Sequence, residues 1–196
     1  AVVAAFLPGC DPLHKGTIIP RGRALGLTMQ LPLEDKYTHK KAYVEAQIAI
    51  LMGGRVAEEL TQEDVTTGAG NDIERATDLA RKMVREWGMS DLGPVALGAN
   101  GEPVFLGRDY AERSDYSDET ASRIDAEITR LVEGGHRKAT DILEEHRELL
   151  DRLARELLER ESLEGSEVYD LIEEATGRRL GPVHEEPPPA APRPDA

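Results

Sequence analysis

Residues 38–60 read as one helix that is apolar on most of its faces, and this feature decides what the rest of the chain must do. Val44, Ile48, Ile50, Leu51, Met52, Val56 and Ala57 recur too densely for a single stripe. Neighbouring elements must therefore cover the helix on several sides, which makes it a central helix. It is expected to open at an N-cap Thr38 and run to about Leu60. Gly53-Gly54 in its interior costs roughly 2 kcal/mol of helix propensity against alanine. Close approach by a neighbouring backbone is the expected compensation. With 39% hydrophobic residues but only 4% aromatics, such a core is built from small aliphatic helix contacts rather than as a β-sandwich.

The flanking pattern supplies the partners. Ala1–Leu7 is a dense apolar stretch stopped by Pro8-Gly9, and reads as the end of a buried helix that begins further upstream. Cys10–Lys15 reads as a polar connector. Thr17-Ile18-Ile19 and Leu25–Leu31 lean to strand, with Pro20–Arg23 as turn chemistry between them. In the second run Leu25, Leu27, Met29 and Leu31 alternate with Gly26, Thr28 and Gln30, the period of a strand with one buried face. Two strands make a ribbon that must lie on helices.

Thr61–Gly70 reads as a loop. Asn71 is the expected cap of the next helix with Glu74 three residues on, a variant of the capping box. Ile73, Ala76, Ala80, Met83, Val84 and Trp87 form its stripe, and Gly88 ends it. Residues 88–110 are punctuated by Gly and Pro. From Ser117 onward Ile124, Ile128, Leu131, Ile142, Leu149, Leu153 and Leu157 mark long amphipathic helices, expected to break at Gly134-Gly135. Ser166–Ala175 adds a short helix, and the proline-rich 181–196 reads as a disordered tail. The fold class is mainly α, with a small two-stranded β-ribbon, long C-terminal amphipathic helices and that tail.

Charge and motifs exclude several functions. A net charge of −14 and a pI near 4.8 argue against a nucleic-acid backbone or an anionic membrane as the main partner. The single Cys10 rules out an internal disulfide and fits a reducing compartment. No apolar run approaches the ~18 residues of a membrane span, and Ala1–Leu7 lacks the basic leader of a signal peptide. Gly68-Ala69-Gly70 resembles the opening of a dinucleotide fingerprint, but its third glycine falls on Ile73. There is no P-loop and no nucleophile elbow, and Cys10 has no obvious activating partner. Cys10 and His14 lack a second pair for a metal and read as loop residues.

The carboxylates leave two readings open. Asp72 lies in the first turn of its helix, where unpaired N–H groups and the dipole favour a negative charge. It is either an ordinary first-turn acid or a metal ligand, and one carboxylate cannot hold zinc by itself. Glu58 and Glu59 either solvate the end of the central helix or, for Glu58 after Val56-Ala57, face the core and need a partner such as an imidazole N–H. His39, His136, His146 and His184 read as surface residues. The acidic helical stripe is a packing or oligomer surface with its charges on the wet side.

The motifs in series resemble one family. Asp11–Lys15 (DPLHK), Thr17–Gly26 (TIIPRGRALG), Gly53–Leu60 (GGRVAEEL), Thr66–Ile73 (TTGAGNDI) and Arg85–Ser90 (REWGMS) closely resemble the peptidase domain of FtsH-type ATP-dependent zinc metalloproteases. Val104–Arg108 (VFLGR) and Tyr116–Ala121 (YSDETA) continue the match, which covers roughly residues 1–175 in one order. The resemblance implies a helical metalloprotease domain over 1–180, with a zinc-site core over 1–110 and a helical part over 111–180. It implies Zn2+ held by two histidines of an H-E-x-x-H helix and by an aspartate that matches Asp72. Glu58 then becomes the partner of a ligand histidine. In such enzymes zinc polarises the scissile carbonyl and the motif glutamate takes the proton from its water.

The same resemblance implies a membrane-anchored homo-hexamer at the cytoplasmic face of the plasma or inner membrane. An upstream AAA ATPase module uses ATP and Mg2+ there, and membrane and cytosolic proteins are degraded. The H-E-x-x-H motif itself would directly precede Ala1. This chain therefore carries no catalytic residue, is expected to be inactive by itself and to bind neither ATP nor the membrane. An extended substrate is expected to pair with the strand edge at Leu25, Gly26, Leu27 and Thr28. The alternative is a non-catalytic helical oligomerisation module derived from that family.

Overall fold

A computed structural model describes residues 1–20, 26–32, 38–62, 64–97 and 116–181. Among these residues six α-helices and three short strands follow in the order α1 (Val2–Phe6), β1 (Leu13–Thr17), β2 (Leu27–Gln30), α2 (Lys41–Thr61), α3 (Gly70–Arg85), α4 (Asp118–Glu145), α5 (Arg147–Arg160), β3 (Ser162–Glu164) and α6 (Gly165–Thr176). The architecture is mainly α, as the pattern requires. The tail expected over 181–196 lies, apart from Gly181, outside the described residues.

Helix α2 is central. Val44, Ala46, Ile48, Ala49, Leu51, Met52 and Val56 are all buried, and α1, α3 and α4 pack around it. The helix starts two residues later than the Thr38 cap predicts. Its N-cap is Lys40, and no side chain caps it. His39 is instead stacked on Tyr43 with ring centroids 4.7 Å apart.

The break expected at Gly134-Gly135 is absent. Helix α4 runs through both glycines for 28 residues and ends at His146, where α5 begins. The glycine there serves packing. A β-carbon on Gly135 would stand 2.6 Å from Ile48 Cγ2 and 3.1 Å from the Ala49 amide nitrogen, so its absence lets α4 lie directly on the α2 backbone.

The ribbon gains a third strand. β1 pairs antiparallel with β2 through Gly16↔Thr28 and Thr17↔Leu27, and on its other side with β3 through Gly16↔Leu163. The sheet order is therefore β2-β1-β3, which leaves β2 as an edge. β1 also starts at Leu13, inside the stretch read as a connector. The buried face expected for the second strand is only partly realised. Met29 is half-buried, whereas Leu27 and Leu31 are 44% and 46% exposed, because the helix that covers this sheet, α6, packs on β1 rather than on β2.

Candidate metal centre

Asp72 is delivered by a short, tightly tied loop. Thr67–Ala69 form a 3-10 turn, and Thr66 Oγ1 accepts the Gly68 N–H at 3.0 Å, which caps that turn. Thr66 caps that turn only; α3 itself starts at Gly70, its N-cap is Ala69 rather than the expected Asn71, and no side chain caps it. Thr66 is in turn held by Glu58. Its amide donates to Oε2 at 3.0 Å and its hydroxyl donates to Oε1 at 2.9 Å. Ala69 is buried, so the loop is pinned at both ends of the 3-10 turn.

The carboxylate of Asp72 emerges over α2. Its Oδ2 lies 3.8 Å from the point a β-carbon on Gly54 would occupy. Its Oδ1 lies 3.8 Å from Arg75 Nη1, and the side chain is 43% exposed. The preceding glycine faces another way. A β-carbon on Gly53 would meet Val3 Cγ2 of α1 at 3.1 Å. The neighbour that approaches Gly53 is thus a valine side chain, not the expected backbone. One side-chain-free step of α2 brings together α1, α2 and the first turn of α3.

Glu58 and Glu59 divide their tasks. Glu58 faces the loop, while Glu59 faces α4: His136 Nε2 lies 2.7 Å from Oε2, and Arg55 Nε donates to Oε1 at 2.6 Å. Burial pushes the Glu59 carboxyl up. The hydrogen bonds from Arg55 and His136 outweigh it and hold the group below the usual glutamate range. Glu59 is therefore exposed at the helix end but paired, and His136 is not an unengaged surface histidine.

His146 also departs from the surface reading. Its side chain is 11% exposed and its ring stacks on Phe6 at 3.8 Å between centroids. The sequence carries no local signal for either contact, since His136 and Glu59 stand 77 positions apart and meet only when α4 crosses α2. Elsewhere, His14 is exposed on β1 and Cys10 is half-buried. Tyr43 donates to Asp11 at 2.6 Å, and burial together with that bond pushes its phenol up to about 12. His184 and Leu25 lie outside the described residues. Gly26 precedes β2, and Leu27 and Thr28 lie on its exposed edge.

Three protein ligands are needed in a catalytic zinc site, and no group of three or more His, Cys, Asp or Glu placed for a metal exists among the described residues. Asp72 fits as one oxygen ligand, held by a capped loop over Gly54. No helix among the described residues is long and apolar enough to cross a membrane.

Comparison with known proteins places the arrangement in context. The chain is 57% identical over 173 residues to the ATP-dependent zinc metalloprotease FtsH of Magnetococcus marinus, covering 88% of this chain and 26% of that protein. It is 52% identical over 183 residues to the FtsH of Acidobacterium capsulatum, covering 93% and 28%. Against FtsH 3 of Symbiobacterium thermophilum the identity is 47% over 194 residues, covering 98% and 30%. The chain thus spans under a third of the length of these curated relatives. The family model for peptidase family M41 matches residues 1–171, and the chain belongs to that family.

Proposed function

We propose that this chain is the part of an ATP-dependent zinc metalloendopeptidase that supplies Asp72 as one ligand of the catalytic metal. The observation that carries the reading is the placement of the Asp72 carboxylate over Gly54, at the meeting of α1, α2 and α3. The two histidine ligands and the general-base glutamate belong to sequence before Ala1, in line with the motif order of the resemblance. Glu58 keeps lone pairs free beside its bonds to Thr66 and accepts the second ring N–H of a ligand histidine. In the complete protein an ATPase module delivers protein substrates, and the assembly is a membrane-anchored hexamer facing the cytoplasm. The names of the relatives support the ATP dependence and the zinc.

The decisive experiment is Asp72→Asn in the full-length protein. It should strip zinc during dialysis and abolish casein cleavage. Unchanged zinc content and cleavage would refute the assignment. The 196-residue chain itself, mixed with casein and zinc, should show no chelator-sensitive cleavage; clear cleavage would show that the ligands lie elsewhere within it.

A further inference from the structure

The last turn of α2 carries two acids at the end of a helix where the dipole is negative, and no base of its own in that turn. Its final carbonyls also lack partners within the helix. Compensation arrives from the C-terminal helices at two separate points. His136 of α4 meets Glu59 at 2.7 Å. Arg147, at the start of α5, donates from Nη1 to the Leu60 carbonyl at 2.7 Å. Within the same turn Glu58 holds Thr66, and Thr66 caps the 3-10 turn that leads to Asp72.

We propose that His136 and Arg147 are positioning residues for the Asp72 loop, acting through the Glu58–Leu60 turn. They fix the rotation of this turn by engaging its outer side, so that Glu58 points at Thr66 and the loop is held in register. Neither residue touches Asp72. The proposal rests on the metal reading only for its functional consequence; the positioning itself concerns contacts between described residues.

The test is amide hydrogen exchange on the full-length protein, read at Thr66 and Gly68, whose N–H groups report the two bonds of the loop. His136→Ala combined with Arg147→Met should accelerate exchange at both amides about tenfold, while Val168 and Ile172 in α6 stay as in the wild type. His136→Gln should restore protection, because its amide N–H can also donate to Glu59. Zinc retention during dialysis should fall with the alanine variant and return with the glutamine. Wild-type exchange at Thr66 and Gly68 in the double variant overturns the proposal. So does equal acceleration at every amide, which marks a general loss of stability. Asp72→Asn, run in parallel, separates the two ideas. If it keeps its zinc the metal reading fails, whereas the exchange result stands by itself.

Discussion

Asp72 and Gly54 form a matched pair: the carboxylate Oδ2 lies 3.8 Å from where a β-carbon on residue 54 would be. That separation is ordinary van der Waals contact, so a methyl group fits and anything larger competes with the carboxylate for space. Gly54→Ala should therefore keep the loop in place and stabilise α2 by up to about 1 kcal/mol through helix propensity. Gly54→Leu should push Asp72 aside and weaken zinc retention in the full-length protein. Thermal unfolding and metal content measured on the two variants check both halves. Equal zinc retention in both would show that the carboxylate does not need that space.

A second glycine pair gives opposite signs at adjacent positions. Nothing lies within 4 Å of a β-carbon on Gly134, whereas on Gly135 it would meet Ile48 Cγ2 at 2.6 Å and the Ala49 backbone nitrogen at 3.1 Å. Gly134→Ala should stabilise the protein by up to about 1 kcal/mol. Gly135→Ala should destabilise it by about 1–3 kcal/mol, since α4 must lift away from the α2 backbone. Urea denaturation at one pH decides the matter.

These glycines also show where the sequence was legible and where it was not. Periodicity located α2 as a buried central helix because a stripe wrapped around most of a helix can satisfy itself in no other way. The same local reasoning read Gly134-Gly135 as a break, since propensity counts only the cost of glycine. The gain, contact with residues 48 and 49, is tertiary and leaves no trace nearby in sequence. Ser162–Glu164 failed to register as a strand for a related reason: three residues have no period, and the segment is a strand only because β1 offers its free edge. At the candidate site, Asp72 and Glu58 stood out through the motif series, but Thr66 links them only in the folded chain, eight residues beyond Glu58. His136 and Arg147 belong to the same class as Gly135.

Glu127 supplies a pH prediction. It is 7% exposed on α4, accepts from Arg130 Nε and Nη2 at 2.7 Å each, and accepts the Asp91 N–H at 2.9 Å. The Arg130 hydrogen bonds outweigh burial and hold its carboxyl below the usual glutamate range. A group whose folded-state pKa is depressed contributes stability that is complete above its unfolded value and is lost as pH falls through the folded one. Glu127→Gln should thus cost about 1–3 kcal/mol near neutrality, the range for charge-assisted bonds. Between pH ~6 and ~2 the gap between variant and wild type should stay constant down to the ordinary glutamate value of about 4.3 and narrow as pH falls below it. Denaturation midpoints taken across that interval test it; a gap independent of pH would mean that the charge of Glu127 contributes nothing.

The edge of β2 carries the last prediction. Among the described residues the sheet order leaves one side of Leu27–Gln30 without a strand, and Leu27 is exposed, a combination suited to pairing with an extended chain. Backbone pairing of this kind reads few side chains, which would suit the proposed protease and its protein substrates. Proline at Thr28 removes an N–H and constrains φ on that strand, opposite Gly16 in the register. In the full-length protein Thr28→Pro should slow peptide cleavage severalfold, chiefly by raising KM, while zinc content remains at the wild-type level because β2 lies in a different element from Asp72. A neighbouring control, Thr28→Val, keeps the N–H and should leave cleavage unchanged. Should the proline variant cleave peptides at the wild-type rate with its sheet intact by circular dichroism, the edge does not receive substrate.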